Sequence, residues 1–257
     1  MSAPAVARLI DVNAHIGGYP WRDVPHPEPA VLERVLRREG IDAAWVGHLP
    51  SAFWRDPAPG NAELYAALAP HPTLLPAPCV RPDWPGWTHH VDEAARRGAP
   101  ALRAYPQLWG MGSGDGTLTA LAAACAGRRL ALVLSVRFED GRQRHPLDTA
   151  PDLSPAHVRA LARAGTGAAL VVVNAGREFI EEVAWALTPS ELARVWFDFS
   201  WVWGPPEDHF ALLLRSLGAA RFVYGTGWPL RLTQNARALL DLLPPDVAAP
   251  AFASAGP

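Results

Sequence analysis

Eight short aliphatic runs punctuate the chain at intervals of roughly 30 residues, the length of one strand–helix–strand unit. They begin near Ala7 (ARLIDVN), Asp42 (DAAWVGH), Thr73 (TLLPAPCV), Pro100 (PALRAY), Arg129 (RLALVLSVRF), Ala168 (AALVVVN), Arg194 (RVWFDFS) and Arg221 (RFVYGTG). Most are apolar throughout rather than alternating, as expected of parallel strands covered on both faces. Between them lie stretches with apolar residues at helical spacing. Pro29–Glu39 stops at Gly40, Thr88–Arg97 at Gly98 and Pro205–Leu217 at Gly218, each glycine placed to close a helix C-terminus. Ser154 before Pro155 reads as an N-cap opening Pro155–Ala164, and Thr233–Leu243 is the last helical stretch. Eight such units in 257 residues predict a single (β/α)8 TIM barrel spanning 1–257. An open doubly wound sheet would carry a glycine-rich turn after its first strand, where this chain has AHIGGYPW. The glycine-rich GMGSGDG follows the fourth strand without phosphate-loop spacing and reads as a mobile loop.

Composition narrows the chemistry. The net charge of −2 gives no reason to expect nucleic acid or an anionic membrane as partner. No apolar run approaches the roughly 20 residues of a spanning helix, and Met1–Ile10 lacks the pattern of a secretory leader. Two cysteines, Cys79 and Cys125, make no disulfide framework, so a reducing cytoplasmic setting is expected. All 23 basic residues are arginine, which excludes chemistry that needs a lysine amine, such as Schiff-base and pyridoxal-phosphate mechanisms or a P-loop.

In such a barrel the reacting groups come from the C-terminal strand ends and the loops that follow. The strand assignments nominate Asn13, His15, His48, Arg81, Arg103, Tyr105, Ser135, Arg137, Glu139, Asp140, Asn174, Asp198, Ser200, Gly227 and Trp228. Of eleven tryptophans, eight (Trp21, Trp54, Trp84, Trp87, Trp109, Trp201, Trp203 and Trp228) fall in strand-to-helix loops. Rings gathered at one mouth build a pocket for an aromatic or apolar molecule, or simply pack long loops onto the barrel. Asp198, between Phe197 and Phe199, is expected to face the barrel interior, as a catalytic base or a structural anchor. The charged RFEDGR segment after the fifth strand suits a self-satisfied ion-pair network, although Arg137 and Arg103 could grip a carboxylate.

Several of these segments resemble the amidohydrolase-related family. LIDVNAHIG is similar to its D-x-H-x-H opening and RFVYGTGWPL to its closing Gly-Ser-Asp-x-Pro strand, with ALRAYPQ, ALVLSVRFED, ALVVVNAG and VWFDFS matching in order between them. The resemblance implies lactone or amide hydrolysis, or non-oxidative decarboxylation, normally with one divalent metal. This chain departs at the ligand positions. Asn13, Ser135, Asn174 and Gly227 stand where the pattern places metal ligands, and His15 alone remains. A catalytic zinc wants three protein ligands and an open position, so no metal and no other cofactor is expected. His48, His145, Glu139 or Asp198 would have to rebuild such a site.

The expectation is therefore an acid–base enzyme acting on a small aromatic or apolar substrate with an anionic group. His15, Asp198 and Glu139 are its catalytic candidates. Asn13, Arg103, Tyr105, Arg137, Asn174, Trp21, Trp201 and Trp228 are its substrate-binding candidates. A metal-dependent hydrolase with unusual ligands and a non-catalytic binding barrel are the alternatives, and a homodimer is an assembly left open.

Overall fold

A computed structural model describes residues 9–250. Its strands are β1 (Ile10–Ile16), β2 (Ala43–His48), β3 (Leu74–Pro76), β4 (Ala101–Ala104), β5 (Ala131–Ser135), β6 (Ala169–Val173), β7 (Val195–Asp198) and β8 (Phe222–Val223). All eight runs in the sequence thus become strands; Ala7 and Arg8 of the first lie outside the described residues. The helices are α1 (Pro29–Glu39), α2 (Ala58–Leu68), α3 (Trp87–Arg96), α4 (Gly116–Gly127), α5 (Pro155–Arg163), α6 (Arg177–Trp185), a short α7 (Pro189–Leu192), α8 (His209–Leu217) and α9 (Gln234–Asp241).

Every ladder pair is parallel, running β1-β2-β3 and β4 through β8. Backbone hydrogen bonds join the two arcs into a closed barrel. Between β3 and β4, Val80 donates to the Arg103 carbonyl and Arg103 to that of Pro78, both at 2.9 Å. Between β8 and β1, Val12 donates to Tyr224, Gly227 to Asn13 and His15 to Trp228, each at 2.9 Å. Alternation along the strands then sorts the core. Val12, Trp45, Ala101, Val133, Val171 and Val223 fill the interior, whereas Val46, Leu102, Leu132, Val172 and Phe197 pack under the helices.

Helix ends follow local chemistry. Gly40 takes the left-handed φ of 68° that closes α1, and Ser154 accepts a 3.2 Å bond from Ala156 N at the start of α5. The segment Pro205–Leu217 is helical only from His209, because the Pro205-Pro206 pair precedes it in a turn. Trp87 opens α3 instead of lying in a loop. Within GMGSGDG, Asp115 caps α4 by accepting from Thr117 N, so part of that loop is a helix entry.

Candidate active site

Two departures from strict alternation build the site. The β1–β2 register shifts between Asp11 and Ala14, the signature of a bulge. Val12 already faces inward, so the extra residue turns Asn13 and His15 inward as well, while Ala14 and Ile16 pack outward. On β6, Val173 faces inward and its successor should face out. Asn174 instead adopts φ 61°, a left-handed conformation that asparagine tolerates better than most residues, and its side chain joins the interior. Asp198 and Ser200 reach the same place by ordinary alternation, with Phe197 and Phe199 in the outer layer.

These side chains form one buried network. Asn13 Nδ2 donates to Asn174 Oδ1 at 2.7 Å and to Asp198 Oδ2 at 2.8 Å. Asn174 Nδ2 donates to Ser135 Oγ at 3.0 Å and to the Arg137 carbonyl at 2.8 Å. A carbonyl only accepts, so this last bond fixes which way the Asn174 amide points, and hence which way Asn13 points. Asp198 Oδ1 accepts from Asn174 N at 2.9 Å, and Oδ2 also accepts from Ser200 Oγ at 2.9 Å. Asp198 has no exposed surface, and burial pushes its carboxyl up to about 6 against the pull of these donors. Gly225 makes room: a Cβ there would come within 2.5 Å of Asp198 Oδ2.

His15 is 2% exposed, with Nε2 at 3.3 Å from the Tyr105 hydroxyl and its ring edge-on to Phe138. Burial first, and the Arg103 cation second, hold its pKa well below the ordinary 6.5, so the ring is neutral at neutral pH. Arg103 itself is 1% exposed and lies along the barrel interior, donating through Nη2 to the carbonyls of Val12 (3.0 Å), Ala14 (3.3 Å) and Trp45 (3.0 Å). Gly47 opens its path, since a Cβ there would meet Arg103 Cδ at 2.8 Å and His15 Cδ2 at 2.9 Å.

Above the network lies a narrow cleft lined by Asn13, His15, Phe138, Asn174, Trp201, Gly227, Leu230 and Arg231. Its roughly 200 Å³ of empty space is divided too finely to hold a water-sized sphere. Arg231 and Arg137 both lie over the Trp201 indole, 4.4 and 5.5 Å from its centre. Arg231 is half-buried, and Asp198 and Asp140 supply its nearest opposing charge.

The nominated residues thus separate. Asn13, His15, Asn174 and Trp201 converge on the cleft, with Tyr105 behind His15 and Asp198 sealed beneath. Arg103 is also sealed, its Nη2 held by three backbone carbonyls. Arg137 pairs with Asp152 at 2.9 Å, and Glu139 pairs with Arg22 at 2.5 Å on the neighbouring rim. Trp21 stacks on His145 on that same rim, and Trp228 packs against the helix layer. Trp203 is 60% exposed and joins neither cleft nor core. Phe138, Leu230 and Arg231 were not nominated. Phe138 was hidden among the charges of RFEDGR, although it touches His15, Tyr19, Phe53 and Tyr105. Arg231 had a readable signal, lying three residues beyond Trp228 in the loop after the last strand.

No protein-family model and no curated protein sequence matches the chain. Solved structures do. A 5-carboxyvanillate decarboxylase from Novosphingobium aromaticivorans, with bound manganese and 3-methoxy-4-hydroxy-5-nitrobenzoic acid, superposes with TM-score 0.68 at 12% identity, covering 98% of this chain and 95% of that one. A 2,6-dihydroxybenzoate decarboxylase from Rhizobium gives 0.66 at 11% identity over 96% and 94%. A protein described as amidohydrolase II gives 0.64 at 14% identity over 91% of each chain. At these identities the likeness establishes the fold alone, a (β/α)8 barrel shared with those structures.

Manganese in such structures raises the question of whether this site suits a divalent cation. Its donor set does not. Among the described residues no three His, Cys, Asp or Glu side chains gather. The Asn13 amide nitrogen fills the space beside Asp198 and donates, where a cation needs acceptors. Asn174 Oδ1 already accepts from Asn13, and its nitrogen is turned to Ser135 and Arg137. The Arg103 guanidinium adds positive charge close by.

Proposed function

We propose that the chain is an enzyme of the amidohydrolase-related family, a small-molecule lyase that decarboxylates hydroxylated aromatic acids by acid–base chemistry. One observation carries the reading: a neutral imidazole, His15, and a guanidinium without an ion-pair partner among the described residues, Arg231, line the same cleft, beside the Phe138 and Trp201 rings. Structures of this fold whose ligands are aromatic carboxylates support it by analogy.

The substrate carboxylate lies against Arg231, and its ring against Phe138, Leu230 and Trp201, with Leu230 or Phe138 yielding to admit it. The Trp228 carbonyl accepts a hydrogen bond from the His15 ring and so holds the ring proton, which leaves the lone pair on Nε2, beside the Tyr105 hydroxyl. This nitrogen removes the proton of a ring hydroxyl. The imidazolium then returns that proton to the ring carbon bearing the carboxylate. The carbon–carbon bond breaks, carbon dioxide leaves, and the electron pair restores an aromatic phenolate, which water protonates. A positioned acid–base group of this kind contributes about 10²–10⁴-fold.

The test is carbon dioxide release from a panel of hydroxybenzoates. The wild-type chain is expected to turn over at least one of them, His15→Gln to lose 100-fold or more in kcat, and Arg231→Met to raise KM about tenfold. Because His15 stays neutral below its ordinary pKa, the rate should hold as pH falls from 7.5 through 6.5. No turnover across the panel, or equal rates with and without His15, would refute the assignment.

A further inference from the structure

Resting on that reading, we infer that Asn13 is a specificity-determining residue that selects substrates bearing a second hydrogen-bond donor, an O–H or N–H distinct from the proton His15 removes. Asn13 has no exposed surface, and its amide nitrogen is fully committed, with one hydrogen on Asn174 Oδ1 and one on Asp198 Oδ2. Its carbonyl oxygen is buried without a partner in a residue that lines the cleft. The amide cannot flip to relieve this. Rotation would set Asn13 Oδ1 against the Asp198 carboxylate and Asn174 Oδ1, acceptor against acceptor, and the Arg137 carbonyl prevents Asn174 from turning in response. A buried acceptor without a partner is costly, and a ligand that supplies the donor removes that cost.

The selection is opposite in sign to that of a cation, which draws ionised oxygens and excludes protonated ones. It also predicts discrimination larger than an ordinary surface hydrogen bond gives, because a site built around a polar partner rejects the analogue that lacks it. The ligand class is therefore an aromatic carboxylate whose ring carries a hydroxyl or amino group beyond the reacting one. Arg231 takes the anion and Asn13 Oδ1 the donor.

The experiment is calorimetric binding to the full chain of two probes differing by one donor, 2,6-dihydroxybenzoate and 2-hydroxy-6-methoxybenzoate, before and after treatment with EDTA. Wild type is expected to prefer the dihydroxy probe about tenfold or more, unchanged by EDTA. Asn13→Ala, which leaves room for water, should bring the two probes within threefold of each other. Equal affinities in wild type, a preference that survives in Asn13→Ala, or binding abolished by EDTA would overturn the inference. If Asn13→Ala does not fold, the wild-type pair and its response to EDTA decide the matter alone. Binding preference without carbon dioxide release would sink the decarboxylase reading and leave this one standing; release without preference would do the reverse.

Discussion

Two polar networks share the mouth of this barrel, and burial separates them. One joins Asn13, Asn174, Asp198 and Ser200, all between 0% and 4% exposed. The other runs through the loop after β5, where Arg142 forks onto Asp140, and Arg144 and Arg137 share Asp152. Both use aspartate as the acceptor at their centre. In the first, three donors converge on a carboxylate that water cannot reach, so each bond orients its neighbours. In the second, solvent competes for every partner, and charge is neutralised without fixing geometry. The first can therefore preorganise a cleft, while the second fastens a loop.

Breaking the centre of each network separates them most sharply. Asp198→Ala strands the donors of Asn13, Ser200 and Asn174, at about 1–3 kcal/mol apiece. We expect a loss of at least about 3 kcal/mol, read as a fall in Tm of about 10 °C. The pH dependence of stability is the next largest effect. Asp198 titrates near 6 when folded, above the ordinary 3.8, so its protonated form favours folding. That contribution is complete below pH 3.8 and is lost as pH rises through 6, about 3 kcal/mol in all. The stability of wild type relative to Asp198→Asn should therefore fall between pH 4 and pH 6 in urea titrations. A flat difference would place Asp198 in contact with water. Asp140→Ala is the smallest change, a fall in Tm close to the limit of detection that shrinks further in high salt. A loss as large as that of Asp198→Ala would erase the distinction between the networks.

How legible this was depended on periodicity. Strands came through because uninterrupted runs such as ALVVV and ALVLS are long enough to read. Helices α2 and α4 were harder to delimit, because α2 begins APGN and α4 is alanine-rich with almost no polar face. The strand-end rule nominated Asn13, His15, Asn174 and Asp198 from position alone; these side chains lie at or beneath the cleft, and Asp198 faces inward with its flanking phenylalanines outward. It could not reveal that Arg103 turns down the barrel and sets its Nη2 on three carbonyls. That depends on Gly47 leaving space on the adjacent strand, a relation between strands that pattern within one strand does not carry. Nor could it reveal the β1 bulge or the left-handed Asn174, the two local irregularities that aim the site inward. Arg231 was reachable by the same rule, applied three residues further into the last loop.

Acid–base chemistry at this site depends above all on the His15 ring being neutral inside the cleft. Selective 15N labelling of histidine, with signals assigned against His15→Gln, reads its protonation directly across pH 5–8. The ring nitrogens should keep neutral-imidazole shifts down to at least pH 6, and added manganese or zinc should leave them unbroadened at stoichiometric concentration. Protonation at or above pH 6.5, or a metal-bound shift on one ring nitrogen, would contradict the acid–base site described here.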